Sequence, residues 1–168
     1  IKALIDTECP REDVKRAYLF ACYCGLRLSD VYALRWKDIV QDGEQYRMST
    51  VMQKTTTPIY SPLSRHAVRW LPERNGAEDG LHVFAGLPAE PNINKVLAKW
   101  MATAGINKKI TYHTSRHTFA TMMLTLGADL YTVSKLLGHT SVKMTQVYAK
   151  IVNKKKDDAV NLTNGLFD

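Results

Sequence analysis

The chain has 168 residues, 45% of them hydrophobic, so it can bury one well-packed core but is too short for two large domains. Its net charge of +7 and pI near 9.3 favour a polyanionic partner, nucleic acid first, although many soluble proteins are mildly basic. No apolar run approaches the roughly 20 residues that a membrane-spanning helix needs, and no signal peptide is visible.

The N-terminal part of the chain predicts two helices. Apolar residues recur at helical spacing after Glu12 and Asp13, whose charges suit the positive end of a helix dipole, and Gly25 provides a stop. Ser29 is a good N-cap for a second, short helix that we expect to run through Leu34.

The next segment predicts a β-hairpin. Residues 45–52 and 58–63 are strand-like, and the polar sequence Lys54-Thr55-Thr56-Thr57 between them is typical of a turn. Pro58 favours an edge position for the second strand. We therefore expect a small antiparallel sheet with Lys54 near the tip of a hairpin.

The second half of the chain predicts a series of helices separated by polar or glycine-containing segments. They are expected at about 64–71, before Gly105, from Thr114 to Gly127, from Asp129 to Gly138, and after Ser141, where the last helix carries Tyr148. The predicted fold class is therefore mainly α with a small antiparallel β-sheet.

Two arginines and a late tyrosine stand out because of the sequences around them. Arg27 lies in Gly25-Leu26-Arg27-Leu28-Ser29-Asp30, Arg116 lies in His113-Thr114-Ser115-Arg116-His117-Thr118-Phe119-Ala120, and Tyr148 follows Leu137-Gly138-His139. Arginine binds a phosphate with two parallel hydrogen bonds and keeps its charge, and a tyrosine hydroxyl can act as a covalent nucleophile. Most arginines are surface or structural residues, but this combination predicts phosphoryl transfer from DNA to protein.

These motifs resemble those of the catalytic domain of the tyrosine recombinases, the phage-integrase family, and its Bacteroides-type integrases in particular, over about residues 12–151. The resemblance implies the catalytic-domain fold of these DNA breaking-rejoining enzymes and site-specific recombination through a 3′-phosphotyrosyl intermediate. It also implies that no cofactor and no metal is needed. Asp30 stands where the family often has glutamate, which keeps the carboxylate but shortens its reach.

The resemblance implies a role for each residue of these motifs. Tyr148 is expected to be the nucleophile, and Arg27 and Arg116 are expected to bind the phosphate. His113 is expected to act near Tyr148 as a general acid or base, or as a hydrogen-bond donor to the phosphate. His139 is expected to contact the same phosphate.

Three further residues are expected to assist. By resemblance, Lys54 reaches the minor groove and protonates the departing 5′-oxygen, although on sequence alone a lysine at a hairpin tip is usually a solvated surface group. Asp30 is expected to orient Arg27 or a histidine. His113 and His117 are four residues apart and could bind a metal from one helical face, but no completing ligand lies at an obvious spacing. We therefore expect His117 to support the site from behind.

The expected partner is double-stranded DNA, bound by a homo-oligomer that is a tetramer on paired sites and a monomer when free. Four lysines are candidate phosphate contacts, although each is equally well explained as a solvated residue: Lys95, Lys99, Lys108 and Lys109. Two other functions stay open, a type IB topoisomerase and a catalytically silent DNA-binding accessory protein. Relaxation without recombinants would indicate the first.

The domain organisation is also inferred from the resemblance. Residues 1–152 are expected to form the catalytic domain, and the core-binding domain that usually precedes it is expected to be absent from this chain. Residues 153–168 form a C-terminal tail with three large apolar residues, Leu162, Leu166 and Phe167. We expect the tail to dock on a neighbouring protomer, and the alternative is that it packs on its own domain.

The cysteines bear on the cellular compartment. Cys9, Cys22 and Cys24 are odd in number and have no zinc-type spacing. On a helix, Cys22 and Cys24 point to different faces and should not form a disulfide. We therefore expect reduced, mostly buried thiols in a cytoplasmic protein.

Overall fold

Helix α2, Glu12–Cys24, lies at the centre of the structure, a computed structural model that describes residues 1–148. The helix is buried over most of its surface, and Phe20 is fully shielded from solvent. Gly25 ends it with a φ of 76°, a left-handed conformation that glycine adopts without steric cost. Because α2 is buried on several sides, other elements must cover it with their own apolar faces.

The remaining helices surround α2 or extend the fold away from it. In chain order they are α1 (Lys2–Asp6), α3 (Leu28–Ala33), α4 (Arg65–Arg69), α5 (Glu90–Thr103), α6 (Thr114–Thr125) and α7 (Leu130–Leu136), with 3-10 helices at Trp36–Asp38 and Val142–Tyr148. Helices α4, α5 and α6 all contact α2. The predicted helices are confirmed, except that the segment after Ser141 is a 3-10 helix, and α1 was not predicted.

The start of α3 differs from the prediction, which was wrong in naming Ser29 as the N-cap. Arg27 is the N-cap residue, and its backbone N–H donates to the Asp30 carboxylate at 3.2 Å. In return, the Asp30 backbone N–H donates to the Arg27 carbonyl at 3.0 Å. An acidic residue at the third helical position can reach back in this way, so the helix starts earlier and includes Ser29.

The sheet positions the lysine turn. It contains three antiparallel strands in the order β1 (Ile39–Asp42), β2 (Gln45–Val51) and β3 (Pro58–Leu63). Beyond the paired strands, the Met52 N–H donates to the Thr57 carbonyl at 2.9 Å and holds the turn that contains Lys54. The predicted hairpin is therefore confirmed. Strand β1 was not predicted, because it is short and mostly exposed and so lacks apolar alternation.

Within residues 1–148, the buried apolar side chains form two clusters. The larger surrounds α2, and the smaller joins α6 to α7 through Phe119, Ala120, Leu124, Val133 and Leu137. Tyr148 packs against the smaller cluster. After α7, Gly138 has a φ of 60°, and a Cβ there would lie 2.8 Å from Cδ1 of Ile59 on β3. Only glycine lets this turn approach the sheet so closely, and the turn carries His139.

Three remaining predictions concern the chain as a whole. Cys9, Cys22 and Cys24 are buried and free, as predicted. Within residues 1–148, no helix has the length and apolar character needed to cross a membrane. The predicted tail, 153–168, lies outside the described residues.

Candidate active site

Arg116 is a buried arginine in the first turn of α6, with 3% of its surface exposed. Its Nη1 donates to the Gly25 carbonyl at 2.6 Å, and its Nη2 donates to the Leu137 carbonyl at 2.5 Å. These carbonyls belong to the C-caps of α2 and α7, so the guanidinium lies at the negative ends of two helix dipoles. A guanidinium has five N–H donors, and donors therefore remain for a further acceptor.

Arg27 is held differently, because its backbone is fixed and its side chain is not. In residues 1–148 its Nη1 is buried and has no hydrogen-bond partner. The side chain lines a cleft of about 200 Å³ together with Leu28, Ser29, Glu90 and His113. A buried cationic donor without a partner is costly, which makes this position well suited to an anion.

The electrostatics show that the two arginines and two histidines form one group. Burial, followed by the charge of Arg27, lowers the pKa of Arg116 to about 10. Burial and the charges of Arg116 and Arg27 lower the pKa of His139 to about 4. The pKa of His113 is lowered by burial and then by His117, Arg116, Arg27 and Lys54. Mutual repulsion of this kind is relieved when an anion binds among the cations.

His139 is oriented by a threonine that precedes the tyrosine. Its Nδ1 lies 2.8 Å from Oγ1 of the fully buried Thr145, and its backbone N–H donates to the Ser134 carbonyl at 3.0 Å. With Nδ1 occupied, Nε2 is the ring nitrogen that remains for another hydrogen-bond partner. Sequence reasoning missed Thr145, although it lies in the same segment, Thr145-Gln146-Val147-Tyr148.

Tyr148 contacts a histidine directly, and that histidine is His117. The tyrosine hydroxyl lies 2.5 Å from His117 Nδ1, with the ring centroids 5.7 Å apart. We expected His117 to support the site from behind, but it is exposed and bonds to the phenol itself. The difference arises because His117 is one helical turn beyond His113, where α6 faces the final 3-10 helix.

His113 is next to this pair but bonds to neither member. Its ring meets the ring of His117 edge to face, with the centroids 4.8 Å apart and the planes at 88°. Its backbone carbonyl accepts from the N–H groups of Arg116 and His117 and so starts α6. Within residues 1–148, no group of three or more His, Cys, Asp or Glu side chains is arranged to hold a metal ion.

Asp30 connects Arg27 with the lysine turn. One carboxylate oxygen accepts from the Arg27 backbone N–H, and the other accepts from the Gln53 backbone N–H at 2.8 Å. Asp30 thus positions the backbone of Arg27 and of Gln53, the residue before Lys54. Of the two expected partners, Arg27 or a histidine, the carboxylate contacts Arg27. Lys54 is exposed at the turn, and its charge acts on His113. The hairpin and the arginine site are therefore close neighbours.

The four lysines suggested as phosphate contacts lie elsewhere. Lys95 and Lys99 are exposed on α5, and Lys108 and Lys109 are exposed in the loop before α6. None of them hydrogen-bonds to the arginines, histidines or tyrosine described above within residues 1–148. Their contact with DNA stays a prediction.

Comparison with known proteins identifies the family. Residues 1–155 match the phage integrase family. A tyrosine recombinase of Pseudothermotoga lettingae is 29% identical over 142 residues, which are 83% of this chain and 50% of the relative. Tyrosine recombinase XerC of Pediococcus pentosaceus is 34% identical, over 80% of this chain and 48% of its own. XerC of Escherichia coli is also 34% identical, over 88% of this chain and 52% of the relative. The chain thus spans about half the length of the curated relatives it matches.

Solved structures agree on the fold. The XerH site-specific recombinase bound to palindromic difH substrate, a post-cleavage complex, has a TM-score of 0.72 at 19% identity, over 95% of this chain and 49% of that one. The catalytic domain of bacteriophage HP1 integrase has a TM-score of 0.67 at 20% identity, over 98% of this chain and 89% of that one. The chain therefore has the tyrosine recombinase catalytic-domain fold, as predicted.

Proposed function

This chain belongs to the phage integrase family, and we propose that it is the catalytic domain of a site-specific DNA recombinase. Tyr148 attacks a phosphate of double-stranded DNA, the phenolic oxygen bonds to phosphorus, and the bond to the 5′-oxygen breaks. The product is a 3′-phosphotyrosyl link that conserves the energy of the broken bond. A 5′-hydroxyl of a partner duplex then reverses the step and exchanges the strands.

A cluster of cationic and polar side chains that form no salt bridge within residues 1–148 is the observation that best supports this function. Arg27, Arg116, His113 and His139 influence one another electrostatically. The salt bridges within residues 1–148 all lie outside this cluster. In phosphoryl transfer, negative charge spreads over the non-bridging oxygens, and preorganised donors stabilise it. The Nη1 of Arg27, which is buried and has no hydrogen-bond partner among residues 1–148, is such a donor.

The hairpin turn supplies the general acid for the leaving group. Lys54 protonates the departing 5′-oxygen, and Asp30 fixes the turn that carries it through the Gln53 N–H. An ammonium group within reach of the departing oxygen can donate this proton as a general acid. His139 donates through Nε2 to a phosphate oxygen, since Thr145 occupies the other ring nitrogen.

The larger assembly is part of the same proposal. Residues 1–152 act as the catalytic domain, and residues 153–168 dock on a neighbouring protomer within a tetramer on paired sites, whereas the free protein is a monomer in the cytoplasm. Several of the similar solved structures are complexes with DNA, including a lambda integrase dimer bound to a core site and the Tn1549 transposon integrase with a circular intermediate. These support DNA as the partner. Lys95, Lys99, Lys108 and Lys109 are candidates for its phosphates.

Covalent capture of DNA tests the function. The chain is incubated with duplexes that contain a randomised segment, and DNA that stays attached to protein under denaturing conditions is recovered and sequenced. The wild type is expected to yield an adduct at a defined site, and Tyr148→Phe is expected to bind DNA and yield none. Tyr131→Phe is the matched control, because Tyr131 is also a late tyrosine and is 59% exposed. An adduct that persists in Tyr148→Phe would contradict the proposal.

A second measurement separates the recombinase from the topoisomerase. Supercoiled plasmids that carry the recovered site, singly or paired, are incubated with the protein. Recombinant products from paired sites are expected. Relaxation without recombinants would assign the same chemistry to a topoisomerase, and binding without either product would indicate an accessory protein.

A further inference from the structure

The hydroxyl of Tyr148 is already paired with a proton acceptor in the structure. His117 Nδ1 lies 2.5 Å from this hydroxyl, and the two rings meet at 60°. The partners come from separate elements, since His117 is in the second turn of α6 and Tyr148 ends the last 3-10 helix. Helix α6 is fixed against α2, so the imidazole is held on a rigid element.

A tyrosine nucleophile needs help to lose its proton. The ordinary pKa of a phenol is about 10, so only about one molecule in a thousand is ionised at neutral pH. Burial raises the pKa of Tyr148 further, and the charge of Arg116 opposes that rise. A base within hydrogen-bond reach is therefore required for efficient attack.

The two other histidines of the site are placed less well for this role. His139 Nδ1 is occupied by Thr145. His113 meets the ring of His117 and makes no hydrogen bond to Tyr148 within residues 1–148. We propose that His117 is the general base that takes the proton of Tyr148. This assignment rests on the proposed function, because it names the base for the same attack.

The attack transfers two protons and replaces one bond at phosphorus. The Tyr148 O–H proton passes to His117 Nδ1 while the phenolic oxygen forms its bond to phosphorus. The bond from phosphorus to the 5′-oxygen breaks, and that oxygen takes a proton from Lys54. His117 ends as an imidazolium and Lys54 as a neutral amine. Religation returns both protons by the reverse route.

Cationic groups act on the two residues that contact His117, which are His113 and Tyr148. Burial lowers the pKa of His113, as do the charges of Arg116, Arg27 and Lys54, and the charge of Arg116 opposes the rise that burial causes in the pKa of Tyr148. Because the pKa of His113 is lowered from 6.5, His113 is neutral at pH 7 and adds no charge beside His117. The remaining cations are compensated by the DNA phosphate during the reaction.

Adduct formation in a single turnover tests the assignment. At neutral pH, His117→Asn is expected to slow the adduct by a factor on the order of 10²–10⁴, the usual contribution of a general base. The loss should shrink as the pH rises, because a phenol that is already ionised needs no base. It should also shrink when Tyr148 is replaced by a fluorinated tyrosine of lower pKa. His113→Asn is the matched control. The factor by which it slows adduct formation should depend neither on pH nor on the fluorinated tyrosine.

The outcomes separate this assignment from the function itself. If the wild type forms no adduct on any duplex, the proposed function fails, and the assignment fails with it. If the wild type forms an adduct but the fluorinated tyrosine rescues His113→Asn instead of His117→Asn, only the assignment is wrong. A loss in His117→Asn that is the same at every pH would also overturn it.

A DNA-independent measurement addresses the proton itself. Nitrogen NMR of the imidazole rings reports which ring nitrogen carries hydrogen. His117 is expected to have an unprotonated Nδ1 whose signal changes in Tyr148→Phe. A protonated Nδ1 in neutral His117 would make it a donor to the phenol and would overturn the assignment.

Discussion

Asp30 and Gln53 join two motifs that lie far apart in the sequence, because Asp30 Oδ1 accepts a hydrogen bond from the Gln53 backbone N–H at 2.8 Å. The other oxygen of the same carboxylate accepts from the Arg27 backbone N–H at 3.2 Å. Asp30 is only 2% exposed, so both bonds are shielded from water. The carboxylate thereby fixes the backbone of Arg27 relative to the turn that carries Lys54.

Asp30→Asn is expected to lower the free energy of unfolding by about 1–3 kcal/mol, because an amide offers one acceptor oxygen and must leave one buried N–H unsatisfied. Urea denaturation measures this. Asp38→Asn is a matched control: Asp38 accepts one N–H, from Arg35 at 2.9 Å, which an amide oxygen can still serve. Equal losses in the two variants would show that the link to Gln53 contributes nothing.

Arginine-to-lysine substitutions should separate structure from catalysis. Both Arg27→Lys and Arg116→Lys should slow adduct formation by a factor on the order of 10²–10³, since an ammonium cannot reproduce the planar fork. Only Arg116→Lys should also lose stability, because Arg116 bonds to the Gly25 and Leu137 carbonyls. Denaturation and single-turnover cleavage measure the two effects. A near-normal cleavage rate in Arg116→Lys would remove this residue from the site.

Lys54→Ala should slow cleavage of an ordinary DNA substrate far more than cleavage of a substrate with a sulfur leaving group. Sulfur departs without protonation and so bypasses the general acid. Lys37→Ala, which removes an exposed lysine from the first 3-10 helix, is the control and should leave both rates unchanged. Equal slowing of both substrates by Lys54→Ala would reassign Lys54 to phosphate binding.

His139 should titrate far below an ordinary histidine, with a pKa of about 4 in the folded chain against 6.5. Its contribution to stability is then complete above about pH 6.5 and is lost as the pH falls towards 4, because the unfolded chain takes the proton first. Histidine NMR titration measures the pKa. Arg27→Gln should raise it by removing a nearby cation, and Arg65→Gln, at an exposed position, should not. A normal pKa in the wild type would contradict the burial of this ring beside the arginines.

Two glycines with similar backbones should differ in their tolerance of alanine. Gly25 and Gly105 have φ values of 76° and 70°, so alanine is strained at both by about 1–2 kcal/mol. A Cβ at Gly25 would also lie 2.6 Å from Cδ1 of Phe119, whereas a Cβ at Gly105 would meet no atom of the described residues within 4 Å. Gly25→Ala should therefore lose clearly more stability in urea denaturation. Equal losses would mean that Phe119 moves aside without cost.

The sequence by itself determined most of the helices, the hairpin and the candidate site residues. Helix α2 and the hairpin around Lys54 follow from local patterns, because apolar spacing, a glycine stop and a polar turn act over a few residues. The sequence motifs around Arg27, Arg116 and Tyr148 identified the family, and the family match over residues 1–155 confirms it. The catalytic roles of these residues stay predictions.

Only the tertiary structure decided which of these residues touch. His117 and Tyr148 are 31 positions apart, and Arg116 is 91 positions from Gly25. Such pairs depend on how α6 packs between α2 and α7, and packing depends on side chains from the whole chain at once. No local pattern could show that the hydroxyl of Tyr148 contacts His117 and not His113. The two histidines lie one helical turn apart on the same face, and only the position of the last 3-10 helix distinguishes them.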